Sequence, residues 1–281
     1  DPCNPGQFFA CCGLLELADR LWGGAMGWFI ANHFHLGPVH EAMRKSATPH
    51  QLIEGLSRCR ITNTMTASQQ NRLAELSAMK GRAKGGDLEA EKKVLDSLRR
   101  EAPIRLHAPF NLLIDWFLDE SAGGSRFKTW AGQQSVIDIA QGMHRPLLNE
   151  SWSTISPEAW LSESASINDL PFNFDSGLSG QGSAIDAGFS FDSLGFKMPV
   201  RPLLELAAFV GLQRFRPSQA GRENLYRFVL WPNPLPPSVA AAVASGAVEV
   251  FGGRRYEFRL LYRTKYLKSF LPAQPQRGNF Q

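Results

Sequence analysis

The sequence predicts an α+β fold in which mixed helices and antiparallel strands are joined by long irregular loops, and which is not a classical superfold. Three observations support this prediction. Apolar residues recur at helical spacing in several segments, other segments are rich in aromatic and β-branched residues, and a long Ser/Gly-rich stretch separates them. With 281 residues, 43% of them hydrophobic and 20% charged, the chain is long enough to bury a sizeable core.

Residues 1–150 are predicted to form an N-terminal α+β region with a charged helical insertion at about residues 64–100. In "GQFFACCGLLELADRLWG", apolar residues recur near the helical period, and Gly23–Gly24 ends the pattern. The insertion is polar and broken by glycines, which predicts two helices around a loop near Gly81–Gly86. The other elements predicted in this region are a strand over Gly27–Leu36, a helix over Pro49–Arg58, two strands within Ile104–Phe117 that meet at a turn at Ala108–Pro109, and a helix that continues to about Leu148.

Residues 151–281 are predicted to form a C-terminal region, either as a second domain or as a continuation of the first. The stretch from Ser151 to Ser193 is rich in Ser, Gly, Asn and Asp, and a loop of this length is usually functional or ordered by a partner. "RPLLELAAFVGLQRF" predicts an apolar helix from Pro202 to Phe215, with a proline in its first turn. Phenylalanines expected to pack the loop onto the core are Phe172, Phe174, Phe189 and Phe191.

Two strands, "NLYRFVLWP" and "RRYEFRLLYRTKYL", are predicted near the end of the chain. A proline-rich turn and a small helix near Val239–Ala244 separate them. Because side chains alternate along a strand, the second strand is expected to have one basic and one aromatic face. The basic face carries Arg255, Glu257, Arg259, Leu261, Arg263 and Lys265, and the aromatic face carries Tyr256, Phe258, Leu260, Tyr262 and Tyr266.

The composition indicates the compartment and the charge of a partner. A net charge of +4 and an isoelectric point near 9.0 give a mild preference for polyanions. Cys3, Cys11, Cys12 and Cys59 match no zinc-ligand spacing, so we expect reduced thiols. No apolar run approaches the roughly 20 residues of a membrane-spanning helix, and Glu16 interrupts the first apolar segment, which lacks a basic leader. We therefore expect a cytoplasmic protein with no membrane partner.

The sequence contains none of the common catalytic motifs. No glycine-rich motif followed by lysine matches a nucleotide-binding loop, and no dinucleotide-binding fingerprint follows a predicted strand. "GQGSA" at Gly180–Ala184 lacks the closing glycine of a nucleophile elbow and has no strand before it. We therefore expect no catalytic residues, no bound metal and no cofactor.

A metal-dependent nuclease acting on DNA or RNA is the alternative hypothesis. It would draw on two groups of side chains, His33 and His35 with His40 or Cys59, and Asp115 with Asp119 and Glu120. The two strand histidines are one residue apart and would share a face, and the acidic residues follow a predicted strand. Half-buried strand histidines and a solvated strand end explain the same residues, and we favour that interpretation.

Three groups of basic and amide side chains make nucleic acid the better-supported partner. The first lies in "SAGGSRFKTWAGQQ", where glycines allow close backbone approach to a phosphate and the next helix presents its N-terminal amides. Glutamine can also make bidentate contacts with adenine. A solvated surface explains any one group, but three groups in a mildly basic chain favour DNA. The expected DNA-binding residues are Arg126, Lys128, Gln133 and Gln134, then Arg214, Arg216 and Arg222, and finally Arg259 and Arg263.

Three longer segments carry a family resemblance. "NPGQFFACCGLLELADRLW", "FKTWAGQQSV" and "PVRPLLELAAFVGLQRFRP" resemble the type I-U (also called I-G) CRISPR-associated proteins of the Cas8-like large-subunit family. The segments lie in the N-terminal, middle and C-terminal thirds, and they carry structural signatures rather than catalytic ones. Many large subunits end in a helical bundle, whereas this chain ends in predicted strands and "PAQPQRGNFQ", so a separate small subunit is expected.

The resemblance implies a non-catalytic subunit of the crRNA-guided surveillance complex, Cascade. Such a subunit recognises the protospacer-adjacent motif (PAM) in duplex DNA, assists duplex opening and R-loop formation, and helps to recruit the helicase–nuclease, while guide pairing supplies sequence specificity. The implied partners are crRNA, target double-stranded DNA, the backbone, handle-binding and small subunits, and the helicase–nuclease. The loop between Asn173 and Gly188 would be a second place of DNA contact. A purely architectural subunit that contacts only protein and guide RNA is a third possibility.

Overall fold

A computed structural model describes residues 1–41, 46–79, 86–118, 124–130, 134–178, 197–221, 224–262 and 268–276. It confirms a mixed α+β fold of helices and small antiparallel sheets without a classical superfold. Within these ranges, no helix combines the length and the apolar character needed to cross a bilayer.

Two helices from opposite ends of the chain form the centre of the fold. Helix α1, Pro5–Trp22, is capped by Asn4, whose side-chain oxygen accepts from the Gly6 backbone N–H at 3.1 Å. The predicted apolar helix is Pro202–Gly211, here numbered α6, and every one of its residues is buried. A Cβ atom at Gly13 would lie 1.9 Å from the carbonyl oxygen of Ala207, so the two helices cross with their backbones in contact.

A hairpin replaces the single strand predicted over Gly27–Leu36. Strands β1, Ala25–Ile30, and β2, His33–Pro38, pair antiparallel, with Ile30 opposite His33. The prediction of one strand was wrong because the two-residue turn carries no glycine signal, although Ala31 adopts a φ of 52°.

The rest of the N-terminal region follows the predicted order, except that strand β3 was not predicted. Helix α2 is His50–Arg58, and the insertion contains α3, Ala67–Ala78, and α4, Gly86–Glu101; most of the predicted loop between them lies outside the described residues. The three-stranded sheet consists of β3 Ile61–Asn63, β4 Ile104–Leu106 and β5 Leu112–Ile114. The second strand predicted within Ile104–Phe117 is shorter than expected, because Trp116–Leu118 form a 3₁₀ turn.

The middle of the chain contains α5, Val136–His144, where the predicted helix reached Leu148; Arg145–Leu148 form a 3₁₀ turn instead. Strand β6, Ala165–Ile167, pairs antiparallel with β7, Met198–Val200. Phe172 and Phe174 are fully buried, as expected, whereas Phe189 and Phe191 lie outside the described residues.

The C-terminal sheet has the order β11-β10-β9-β8, with β12 also paired to β10. Helix α7, Pro237–Ala244, lies between β9 and β10 in the chain. The predicted faces of β10 are confirmed within the described residues, since Tyr256, Phe258 and Leu260 are buried while Arg255 and Arg259 are exposed. The strands are β8 Ser218–Gln219, β9 Leu225–Leu230, β10 Arg254–Tyr262, β11 Lys268–Phe270 and β12 Gln274–Pro275.

Candidate nucleic-acid interface

The five residues from Arg126 to Trp130 form a strap with three buried side chains and two that reach the surface. Phe127 and Trp130 are buried, and the Phe127 ring contacts the edge of Tyr226 with 4.7 Å between centroids. The buried Thr129 hydroxyl donates a short hydrogen bond to the carbonyl oxygen of Phe172. These contacts fix the strap, so Arg126 is exposed and Lys128 is half-buried at the surface.

Lys268, at the start of β11, joins the strap from a distant part of the chain. Its backbone N–H donates to the carbonyl oxygen of Thr129 at 3.0 Å, and its Nζ donates to the carbonyl oxygen of Arg126 at 3.1 Å. The fold therefore gathers three cationic side chains at one place. We refer to Arg126, Lys128 and Lys268 as the basic cluster.

The charges of the basic cluster act on one another. Burial is the larger cause that lowers the pKa of Lys268, and the positive charges of Lys128 and Arg126 lower it further. The Lys268 ammonium lies 5.3 Å from the centroid of the half-exposed Tyr262 ring, a cation–π contact. The Glu101 carboxylate lies 3.9 Å from Lys128 Nζ and compensates part of the charge.

This arrangement suits a phosphate-bearing ligand. Like charges held close together repel each other, and an anion that binds between them relieves that repulsion. Gln219 already accepts a hydrogen bond from Arg126 Nη1 at 2.7 Å, which orients the guanidinium. Contacts from Lys and Arg to phosphate supply affinity and position without reading sequence.

The second predicted group is largely used inside the protein. Arg214 Nε lies 2.6 Å from an oxygen of Glu16, whose side chain is only 3% exposed and also pairs with Arg20. The hydrogen bond to Glu16 raises the pKa of Arg214. Arg214 thus links the segment just after α6 to α1. Its guanidinium is already engaged in an ion pair with Glu16. Arg216 is half-buried and has a partner within the protein.

The remaining predicted residues are dispersed. Arg259 is exposed on β10, but its side chain projects from the outer face of the sheet, opposite to the face that carries Tyr262. Gln134 is half-buried directly before the first turn of α5 and makes an interaction within the protein. Gln133, Arg222 and Arg263 lie outside the described residues.

The residues of the nuclease hypothesis are separated in the same way. His33 is exposed, and the His35 ring stacks on Trp28 with 5.5 Å between centroids. Asp115 accepts a hydrogen bond from the Gln213 side chain at 2.9 Å. Within the described ranges, no three His, Cys, Asp or Glu side chains are grouped so that they could hold a metal ion. Asp119 and Glu120 lie outside those ranges.

A buried polar network lies at the base of the predicted Asn173–Gly188 loop, most of which is outside the described residues. Asp175 accepts hydrogen bonds from Asn4 Nδ2 at 2.7 Å and from Arg201 Nη1 at 3.0 Å. Glu205, in the first turn of α6, accepts from the Asp175 backbone N–H at 3.0 Å. Burial raises the pKa of Glu205 to about 8. This network fixes the segment before the loop to both central helices.

Sequence reasoning missed Lys268 and the buried network. Lys268 reaches the cluster only because β11 pairs with β10, where it lies opposite Tyr262. A hairpin prediction after the last predicted strand would have provided that signal. The network joins residues far apart in sequence, and no local pattern indicates such contacts.

Comparisons with known proteins add no assignment to this geometry. No protein-family model, curated protein or solved structure matches the chain.

Proposed function

We propose that this chain is a non-catalytic DNA-recognition subunit of a type I CRISPR effector complex. The observation that carries the proposal is the basic cluster, in which Lys268 meets Arg126 and Lys128 of the strap on one surface although it comes from a distant segment. A phosphate backbone is a ligand whose negative charge suits such a group.

The three segments that resemble the Cas8-like family support the proposal. The first contains α1 and the third contains α6, which are in backbone contact. The middle segment places the Trp130 ring 6.2 Å from Phe209 of α6, and the same segment presents Lys128 at the surface. The residues behind the resemblance thus build one core that supports part of the basic cluster.

The finer role follows the resemblance. The chain recognises the protospacer-adjacent motif in duplex DNA, assists duplex opening and R-loop formation, and helps to recruit the helicase–nuclease. It works with crRNA, a backbone subunit, a handle-binding subunit and a separate small subunit in the cytoplasm. The basic cluster holds the DNA backbone, whereas guide pairing reads the target sequence.

Duplex binding by the isolated chain tests the proposal. The triple variant Arg126→Gln, Lys128→Gln, Lys268→Gln is compared with the wild type by fluorescence anisotropy at several salt concentrations. Each phosphate contact makes the slope of log K against log salt steeper by roughly 0.9. With three contacts removed, the slope of the variant should be shallower than that of the wild type by about 2.7. Arg58→Gln with Arg60→Gln and Lys93→Gln is the matched control, because it also removes three positive charges and all three side chains are exposed elsewhere. An unchanged slope in the triple variant would contradict the proposal.

The assembled complex tests the finer role. With guide RNA and the other subunits present, the wild type should bind targets with the correct motif more tightly than targets without it. The triple variant should lose affinity for both targets by a similar factor, because phosphate contacts position the DNA without reading bases. Motif discrimination that is independent of this chain would contradict the assigned role.

A further inference from the structure

The turn before β10 presents a phenylalanine directly to solvent. Phe251 is 98% exposed, which is unusual for a large apolar side chain in a protein that buries most of its aromatic rings. It lies in the turn from Val250 to Gly253, at the opposite end of β10 from Tyr262 and the basic cluster.

The backbone of this turn is fixed. The Gly253 N–H donates to the carbonyl oxygen of Val250 at 3.1 Å, and Gly252 adopts a φ of 76°, which favours glycine. Val250 packs against the main core, and Arg254 immediately begins the pairing with Leu230 on β9. The backbone that carries Phe251 is therefore fixed before any partner binds, which lowers the backbone part of the entropic cost of binding.

A hollow of about 320 Å³ lies beside the turn. Ile30, at the tip of the β1–β2 hairpin, and Pro232 line it together with Gly252 and Arg254. Ile30 is itself 55% exposed. The surface thus combines a protruding aromatic ring with an apolar recess, the kind of composition found in the centre of protein interfaces.

The charge beside the ring indicates the chemistry of the partner. Arg255 is already ion-paired with Glu249, whereas the contact found for the exposed Arg254 is a 3.4 Å hydrogen bond to the neutral Asn32 side chain. Among the described residues that line the hollow, Arg254 is the one with a charged side chain, so these residues give the hollow a positive charge. A partner with carboxylates around an apolar pocket complements both the ring and the charge.

We propose that the Phe251 turn docks into an apolar, acid-rimmed pocket of another protein subunit of the same complex. The proposal rests on the proposed function for the identity of that partner. Phe251 fills the pocket, Ile30 and Pro232 receive a side chain from the partner, and Arg254 pairs with a rim carboxylate. An aromatic residue of this kind commonly supplies much of the affinity of an interface.

Two other occupants fit the surface less well. In a symmetric dimer, Phe251 of each copy would enter the hollow of the other. Because Arg254 lines that hollow, the two Arg254 side chains would face each other with like charges. For nucleic acid, the single positive charge of Arg254 could serve one phosphate, because Glu249 compensates Arg255, and the exposed neighbour Ile30 is aliphatic and cannot stack on a base. The basic cluster lies a nine-residue strand away, roughly 26 Å. The two surfaces therefore do not overlap.

Binding to the rest of the complex tests the inference. The probe is the purified assembly of guide RNA with the remaining subunits, and binding is measured by biolayer interferometry. Phe251→Asp should weaken binding about 30-fold, since loss of a central aromatic contact costs about 2 kcal/mol. Arg254→Glu should weaken it about tenfold. Val94→Asp, at a 66% exposed apolar side chain on α4, is the control and should bind like the wild type.

The outcomes separate this inference from the proposed function. Wild-type binding that is unaffected by Phe251→Asp overturns the inference alone. Absence of wild-type binding overturns both it and the proposed function. A wild-type dimer in sedimentation that Phe251→Asp dissociates identifies a second copy as the occupant and overturns the inference. If Phe251→Asp loses affinity for duplex DNA while assembly is unchanged, nucleic acid is the occupant of the surface, and the inference is overturned. Unchanged melting temperatures confirm that each variant is folded.

Discussion

Arg201 Nη1 lies 3.0 Å from a carboxylate oxygen of Asp175, an ion pair between two segments of the chain that flank residues 179–196. The Asp175 side chain is only 2% exposed and also accepts from Asn4 and from the Gly177 backbone N–H. The contact therefore joins the N-terminal cap of α1 to the approach to α6.

Removal of the Asp175 carboxylate should strongly destabilise the protein. Asp175→Ala leaves Arg201 without its ion pair and removes acceptors from Asn4 and Gly177, so the free energy of unfolding should fall by about 3–5 kcal/mol. Urea denaturation followed by circular dichroism measures this change. Asp169→Ala is the control, because its ion pair with Arg145 is partly exposed, far more than that of Asp175, and should contribute no more than about 1 kcal/mol. Equal effects of the two substitutions would contradict the prediction.

Stability should fall as pH rises from about 4.5 to about 8. In the unfolded chain Glu205 loses its proton near its ordinary pKa of 4.5, whereas in the folded protein burial raises that pKa to about 8. The folded state binds more protons in this window, so a rise in pH costs stability, on the order of 4 kcal/mol in total. Urea midpoints at pH 5, 6, 7 and 8 measure the slope.

The glutamine variant isolates the contribution of that carboxyl group. Glu205→Gln keeps an oxygen acceptor for the Asp175 backbone N–H but cannot ionise, so its stability should change much less over the same window. The exposed Glu54→Gln should retain the wild-type slope. A slope that persists in Glu205→Gln would assign the pH dependence to another group.

A methyl group at the helix crossing should be poorly tolerated. In Gly13→Ala the new Cβ would lie 1.9 Å from the Ala207 carbonyl oxygen, so α1 and α6 must move apart. We expect a loss of at least about 3 kcal/mol, at the upper end of the costs of overpacking. Gly37→Ala, which meets nothing within 4 Å, should change stability by no more than about 0.5 kcal/mol. Thermal unfolding of both variants compares them directly.

Thiol labelling should distinguish one cysteine from the other three. Burial raises the pKa of Cys11 to about 12, that of Cys59 to about 11, and that of Cys12 well above its ordinary value. Cys3 is partly exposed. A thiol reagent at pH 8 should therefore modify about one thiol per native chain and all four after denaturation. Rapid labelling that persists in Cys3→Ser would show that the core opens readily.

Nuclease assays address the alternative hypothesis. We expect the isolated chain to leave labelled DNA and RNA intact in the presence of magnesium, manganese or zinc. The physical reason is that, in the part of the chain that the structure describes, no three His, Cys, Asp or Glu side chains are grouped so that they could hold a metal ion. Reproducible cutting that disappears in His33→Ala would replace the proposed function with an enzymatic one.

The sequence predicted much of the fold because its strongest signals are local. Helix α1 follows from a regular apolar period, and the alternating faces of β10 follow from residues such as Phe258 and Arg259. The hairpin at Ala31 was missed because an alanine at positive φ leaves no mark in composition. Boundaries such as the end of α5 depend on packing rather than on intrinsic preference.

The candidate site was only partly predictable for a related reason. Arg126 and Lys128 stand out within a glycine-rich, basic segment, so sequence alone selected them. Lys268 joins the basic cluster only through a backbone hydrogen bond to Thr129, and no local sequence pattern predicts that contact. Arg214 has the same charge as the others, but the buried Glu16 determines its use, and that partner is visible only in the folded protein.

The contact between α1 and α6 also determines when the protein can fold during its synthesis. Gly13 emerges from the ribosome almost 200 residues before its neighbour Gly211. At roughly 5–20 residues per second, that interval lasts about 10–40 s. Throughout it, the apolar surface of α1 lacks the helix that covers it in the native state. Nascent chains of this protein should therefore depend on chaperones that shield apolar segments until Pro202–Gly211 have been made.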